Sequence, residues 1–425
     1  MKIAIIGTGI SGNVLGYHLH KEHDITVFEA NDYVGGHTHT HDIYMNGRDY
    51  KIDTGFIVFN YQTYPHFNKL LDLINVNVKK SNMSFSVKCE LSGLEYNGNN
   101  LNTLFAQRRN LFKPSFHRMI KDILRFNKES LDLIDSGNHT ISLGNYLNNQ
   151  GYSQQFIDFY IVPMGSAIWS SSYKQMMDFP AHFFVSFFRN HGLLSVNDRP
   201  DWYVIENGSK SYVDKIINGF KQNIRLGSPV LQVKRFSNHV EVTTHEVKSE
   251  KFDYVFFACH SDQALDMIDE PDNCEQDVLS AFPFQNNEVI LHTDTQLLPK
   301  RKLAWAAWNY HRNGNLENPV AVTYNMNILQ GIDSDETFCV TLNNTSAIDE
   351  SKILKCLNYS HPLFTKQSIQ AQTRHSELNG NNRCFYAGAY WGYGFHEDGV
   401  VSALQALDDF EEQTSYAQQA IHRTG

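Results

Sequence analysis

The sequence predicts an α/β fold whose core is a parallel sheet wrapped by helices, and three features carry that prediction. An apolar, strand-like run, KIAIIG, leads directly into GTGISG at residues 7–12. A helix follows the glycine turn. A second apolar run, DITVFEA, then ends on Glu29, 17 residues beyond Gly12. Strand, glycine turn, helix and strand in this order form a Rossmann-like βαβ unit. Gly7 permits the tight turn out of the first strand. Gly9 lets backbone approach a pyrophosphate, with Ser11 beside it, and Gly12 lets the helix pack against the strand. The helix N-terminus offers unpaired N–H groups and the positive end of its dipole to phosphate. Glu29 is placed to accept hydrogen bonds from ribose hydroxyls. Together these imply dinucleotide binding.

The next stretch, YVGGHTHTHDIYMNGRDYKIDTGFIVFN, does not continue as a second βαβ unit. It carries Gly35, Gly36 and His37, then Asp-Thr-Gly-Phe with Gly55 and Phe56. A later segment, KFDYVFFAC at 251–259, reads as a returning strand, and SPVLQVKRF, with Val230, lies just upstream. Near the end, CFYAGAYWGYGFHEDGVVSALQAL (384–407) reads as a strand finishing at Ala387-Gly388, followed by a helix from about Gly399.

These segments, in this order, resemble flavoproteins of the amine oxidase, protoporphyrinogen oxidase and phytoene desaturase superfamily. The resemblance implies a glutathione-reductase-type FAD-binding domain and an interleaved α+β substrate domain, amine-oxidase-like overall. It implies that Gly35, Gly36 and residue 37 cross the FAD pyrophosphate. His37 stands where the superfamily usually has arginine, which reduces charge but keeps a donor. Val230 matches a position whose backbone holds the adenine side. Gly388, Phe395, Glu397 and Val400 fall in the second flavin motif. That motif often carries an acid just after the glycine, and here Ala389 and Tyr390 occupy the stretch. No second GxGxxG is present, so FAD is expected and NAD(P) is not. RPDWYVIENGSKSYV, LHTDTQLLPKRKLAWAAWNY, TYNMNILQGI and GAYWGYGFHEDG resemble one bacterial group of FAD-binding oxidoreductases. Its members tend to accompany cyclopropane-fatty-acid-synthase-like methyltransferases, which implies acyl-chain chemistry.

Two domains are expected from 425 residues with 41% hydrophobic content. Residues 1–80, 203–275 and 378–425 are expected to build the FAD-binding domain, and 81–202 with 276–377 the substrate domain. The first insertion reads mostly helical, as in MIKDILRFNKESLDLID and QQFIDFYIVPMGSAIW. The second has strand-like NEVILHTDT and NPVAVTYNMN, with a helical turn near ESKILKCL. A net charge of −10 argues against a nucleic-acid partner. No apolar run reaches the ~18 residues of a membrane span. Met1 leads straight into a strand, so no signal peptide is expected. Six cysteines without CxxC spacing read as free thiols in a reducing cytoplasm.

Two segments leave alternatives open. Residues 105–128 hold seven Lys or Arg, opposed only by Asp122 and interleaved with Leu111, Phe112, Phe116, Met119, Ile120, Ile123, Leu124 and Phe126. This is either an ordinary solvated helix or a face for peripheral contact with an anionic membrane. Phe183, Phe187 and their neighbours Phe184 and Phe188 share a helical face, suited to core packing or to a tunnel for an acyl or polyene chain. His37, His39 and His41 alternate, but they lie where the pyrophosphate should pass and no Cys or acid pair completes a metal site, so none is expected.

Flavin accepts a hydride, and the protein positions the donor. By proximity to the flavin motif, Tyr390, Trp391, Tyr393 and His396 are the catalytic candidates. His396 is either a proton carrier or, like Glu397, a flavin contact or helix cap. Amine oxidases typically wall the ring with aromatics and place a lysine beside it. Phe395 matches one wall, but the strand FQNNEVILH offers Asn286, Asn287 and Glu288 instead of lysine. The leading expectation is an FAD-dependent oxidoreductase that oxidises or desaturates a hydrophobic or lipid substrate and passes electrons to oxygen or a quinone-linked acceptor. A flavin amine oxidase and a non-catalytic flavin-binding partner of a lipid-modifying enzyme are the alternatives.

Overall fold

In the computed structural model, residues 1–195, 199–312 and 321–424 are described, with backbone alone for 416–424. A five-stranded parallel sheet forms from three distant parts of the chain: β1 (Lys2–Ile6), β2 (Asp24–Phe28), β3 (Ile224–Arg225), β4 (Tyr254–Phe257) and β5 (Cys384–Tyr386), in the order β3-β2-β1-β4-β5. Ile3 registers against Ile25 on one side and Tyr254 on the other. Both faces of this sheet are covered, which is why its strands read as unbroken apolar runs. Ile3, Ile5, Val27 and Phe256 pack into one core with α1 (Ile10–Leu19), α2 (Pro65–Leu73) and the long terminal helix. Ala4, Ile6, Val255 and Phe257 face the opposite core.

Backbone approach fixes the first turn. Gly7 has φ +105°, and a Cβ there would lie 2.6 Å from the Ala258 carbonyl oxygen. A Cβ on Gly12 would lie 2.0 Å from the Gly7 oxygen, and one on Gly16 would enter the Phe220 ring. So α1 sits closer to the sheet than any helix with side chains at those positions.

A second, seven-stranded sheet runs in the order 353–362, 284–292, 339–342, 321–325, 308–312, 85–89, 94–97. All neighbours are antiparallel except 308–312 against 85–89, which are parallel. Strands of the first insertion therefore complete a sheet begun by the second. The rest of the first insertion is helical and includes α3 (Pro114–Glu129), with Val162–Trp169 and Ala181–Asn190 over the sheet. Two further labelled helices are α4 (Ser261–Met267) and α5 (His396–Thr424).

Three local expectations change. The turn near ESKILKCL is a 3-10 turn of only Glu350–Lys352. Ile353–Pro362 is a strand, because nine antiparallel residue pairs to 284–292 override a helical pattern. The terminal helix begins at His396 rather than near Gly399, so Glu397 and Asp398 fall in its first turn. Of NPVAVTYNMN, residues 318–320 lie outside the described residues, and the strand is Ala321–Asn325.

Gly12→Ala tests the packing. Helix propensity alone would favour alanine by about 1 kcal/mol. The 2.0 Å approach to the Gly7 oxygen outweighs it. The expected result is a net loss of about 1–3 kcal/mol, read as a lower urea midpoint.

Candidate cofactor and substrate site

One cavity of about 970 Å³ runs from the parallel sheet to the seven-stranded sheet. At its sheet end, Gly9 is the N-cap of α1, has no capping side chain, and is followed by a first turn without acids. A Cβ on Gly9 would meet nothing within 4 Å. Gly36, at φ +56°, brings its backbone across, and a Cβ on it would lie 3.1 Å from Gly9 Cα. The free N–H groups of α1 thus open onto space bounded by glycine backbone, which suits a pyrophosphate. The Ser11 hydroxyl donates to the Gly399 carbonyl (2.8 Å), so it ties α1 to α5, and its side of the turn lines the cavity.

Glu29 is buried and faces the cavity. It accepts from the Thr8 N–H (3.0 Å) and hydroxyl on one oxygen, and from the Asn31 N–H and side-chain amide (both 2.9 Å) on the other. Beyond it, Val230, Ser228 and Pro229 form one wall and Gln263 and Met267 of α4 the other, enough for an adenine-sized group. On the opposite side of Gly9, Gly55 packs against the His37 backbone, and the Phe56 N–H donates to the His37 carbonyl (2.8 Å). His37 is half-buried, and its Nε2 atom is buried with no protein partner. Burial, with His260 nearby, lowers its pKa to about 4, so it presents a neutral ring. A buried orphan nitrogen, an uncapped helix N-terminus and the open glycine fit the phosphate and ring portions of FAD, with Glu29 and Val230 at the nucleoside end.

The second motif distributes differently from expectation. Gly388, Tyr390, Tyr393, Phe395 and His396 line the cavity, whereas Trp391, Glu397 and Val400 do not. Trp391 turns away to stack on His375 (4.2 Å) and pack on Phe282 (5.1 Å). The Glu397 carboxylate caps α2 instead, accepting from the N–H groups of His66 and Phe67 (both 2.9 Å) and from the His66 ring. Val400 is buried in the core beside α1. Gly12 likewise lies behind the cavity, in its packing role.

His396 stacks on Phe56 at 3.6 Å, and its Nε2 lies 2.6 Å from the Tyr212 hydroxyl. Burial, then His37, holds its pKa well below the ordinary value. It is a neutral, tethered ring. The Tyr390 hydroxyl is buried without a partner, and burial raises its pKa well above 10. Phe395 stacks on Phe187 (5.1 Å), and the Phe395 N–H donates to Asp398 (2.8 Å), whose pKa burial raises to about 7. Tyr393 packs on Phe183 (4.6 Å), and its carbonyl accepts from the Trp169 indole (3.3 Å).

Much of the wall carried no motif. His260, Tyr359 and His361 gather around His37, and the His361 Nδ1 lies 2.9 Å from the Ser170 hydroxyl. Ser170 itself sits at φ +53° where the helix Val162–Trp169 ends. From there the cavity continues as an apolar arm along Trp169, Phe187, Met164, Tyr96, Tyr160 and Trp202. Phe187 reaches the arm, while Phe184 and Phe188 stack in the core. Among the described residues, no lysine lines the cavity. Asn287 is buried at the strand where a lysine would be expected. Its amide is taken up by Gln285, Tyr359 and Asn343. His39 stacks on Tyr33 (4.0 Å), and His41 lies against His39.

The family model for flavin-containing amine oxidoreductases matches residues 10–323. No curated protein matches the sequence. Among solved structures, cyclohexylamine oxidase from Brevibacterium oxydans aligns with TM-score 0.70 at 13% identity, over 97% of this chain and 99% of that one. A putrescine oxidase aligns with TM-score 0.68 at 14% identity, over 97% and 99%. The CLA-producing fatty acid isomerase from P. acnes aligns with TM-score 0.66 at 16% identity, over 96% and 98%.

Two outcomes are expected. Gly9→Val adds a side chain only to the open cradle, so the protein should fold as before and purify without the visible flavin band. Normal flavin content would contradict the cradle. In the flavin-free protein, His37, His260 and His361 take up a proton only below about 4, 4 and 3. In the unfolded chain they do so near 6.5. The unfolded state therefore binds more protons in this window, and stability falls as pH drops from 6.5 towards 4. Asp53 and Asp398, raised to about 6 and 7, act in the opposite sense. His41, His191 and His292, each lowered to about 4, add to the histidine side, which prevails. Urea midpoints across the range check the direction.

Proposed function

The chain belongs to the flavin-containing amine oxidoreductase family and is an FAD-dependent oxidoreductase, and on that premise we propose that its substrate is a long apolar chain, a methylated or unsaturated fatty-acyl chain, which it oxidises or desaturates. One observation carries this reading: the cofactor cradle and the aromatic arm form a single cavity. FAD bound in the cradle supplies the hydride acceptor.

The chain's own residues do the positioning. Trp169 and Phe187 pack at 4.8 Å, and Phe187 stacks on Phe395, giving a slot with apolar walls. Such walls bind methylene groups by excluding water, at about 0.8 kcal/mol per buried CH₂. They also align an unactivated C–H bond, which has no polar handle of its own. The histidines near the cradle stay neutral, so they neither repel an apolar chain nor attract an ammonium. The amine-oxidising alternative finds less support, since no lysine lines the cavity among the described residues.

Arg199 is the one formally charged side chain on the arm among the described residues. It lies at the Tyr160 end, where its charge opposes the rise in the Tyr160 pKa caused by burial. A cation at the end of an apolar slot suits a carboxylate or phosphate head group.

Anaerobic mixing with long-chain fatty acids should bleach the flavin band, while putrescine and cyclohexylamine should leave it unchanged. Bleaching by the amines alone would overturn the reading. Arg199→Gln should weaken binding of an acyl carboxylate roughly ten- to hundredfold and leave the methyl ester unaffected, measured as ligand perturbation of the flavin spectrum.

A further inference from the structure

We propose that the outer face formed by Arg108–Phe112 and α3 docks on an anionic lipid bilayer, close to a part of the chain that lines the cavity. The face is organised. The His117 ring bonds to the Leu111 carbonyl (2.8 Å), pinning the 3-10 turn Arg108–Phe112 onto α3. His117, Lys121, Leu124 and Lys128 follow one another at helical spacing on the outer side, while Phe116, Met119 and Phe126 are buried on the inner side. Single exposed apolar residues are ordinary. Here Phe112 is 87% exposed, Leu101 75%, Leu124 54% and Leu111 44%, within one short stretch.

The charges on this face are uncompensated. Asp122 is buried and takes the Ser153 N–H, with Arg125 at 3.4 Å. Glu129 pairs with Arg125, which turns inward over the Tyr152 ring. Lys121 and Lys128 form no ion pair among the described residues, and Arg118 reaches Asp122 only at 4.0 Å. Arg108 and Arg109 bond to carbonyl and amide oxygens, which leave their charge in place. In a chain of net charge −10 this local cationic surface runs against the whole. Exposed apolar tips among unpaired cations suit the boundary of a bilayer with anionic head groups. No helix is long and apolar enough to cross a membrane among the described residues, so the contact is peripheral.

The position links this surface to the cavity. Gly98 and Asn99 line the cavity, and Asn100 directly after them caps the helix Leu101–Leu104, whose Leu101 is on the exposed face. A lipid-docked molecule thereby holds its apolar arm next to acyl chains. This delivery role rests on the proposed acyl substrate. The docking itself does not.

The test is sedimentation of the flavin-loaded full chain with vesicles of phosphatidylcholine, with and without phosphatidylglycerol. Binding is expected only with the anionic lipid and should fall in high salt. Lys121→Glu with Lys128→Glu should weaken it by about fivefold or more per charge, and Phe112→Asp should weaken it with flavin content and melting unchanged. Absence of binding, equal binding to neutral vesicles, or retention on heparin without vesicle binding would overturn the docking surface. Bleaching by detergent-dispersed fatty acid needs no vesicle, so failure there would count against the substrate reading and leave docking standing.

Discussion

Backbone meets backbone where β1 turns into α1, and the distances there leave no room for a side-chain carbon: 2.0 Å from a Cβ on Gly12 to the Gly7 oxygen, and 2.6 Å from one on Gly7 to the Ala258 oxygen. This close packing sets the height of α1 above the sheet. It therefore sets where the uncapped helix N-terminus points, where Gly36 crosses, and how Glu29 at the end of β2 faces the same space. The constraint also explains why three distant segments must meet. β1 is central and pairs with β2 on one side and β4 on the other, and β4 recruits β5 from the end of the chain. The turn after β5 then delivers Phe395 and His396 opposite the cradle.

The cavity combines two chemistries with little conflict. Near the glycines, backbone N–H groups and a helix dipole supply positive potential without a charged side chain. Farther out, aromatic rings dominate, and burial holds Tyr160, His260 and His361 uncharged. A low-dielectric space of this kind strengthens the few polar interactions it contains, whereas Arg199 is exposed at the end of the arm. Among the described residues no lysine lines the cavity, and the strand position where one is expected holds a buried asparagine. Asn287 spends all its hydrogen-bonding capacity within the sheet, through Gln285, Tyr359 and Asn343.

What the sequence revealed follows the physics of each motif. Gly7 and Gly12 were legible because close backbone approach in a βαβ turn demands glycine there. The cavity-facing part of the second motif was legible only in outline. Between Gly388 and His396 the chain is irregular, so no period tells which side chains point inward. Trp391 went to His375, and Glu397 went to the N-terminus of α2, 330 residues away in sequence. The wall made by His260, His361, Trp169 and Ser170 comes from separate segments and leaves no local signal. The parallel pairing of 85–89 with 308–312 was hidden for the same reason. The basic stretch 105–128 was visible from its charges. Its exposed Phe112 and buried Phe116 could be told apart only once the helix had a partner.

The measurement that bears most directly on the account is a crystal structure of the protein loaded with FAD and a long-chain fatty acid. The pyrophosphate is expected between Gly9 and Gly36, and the acyl chain past Phe395, Phe187 and Trp169 with its carboxylate at Arg199. A fatty acid found elsewhere, with the aromatic arm filled by ordered water, would contradict it.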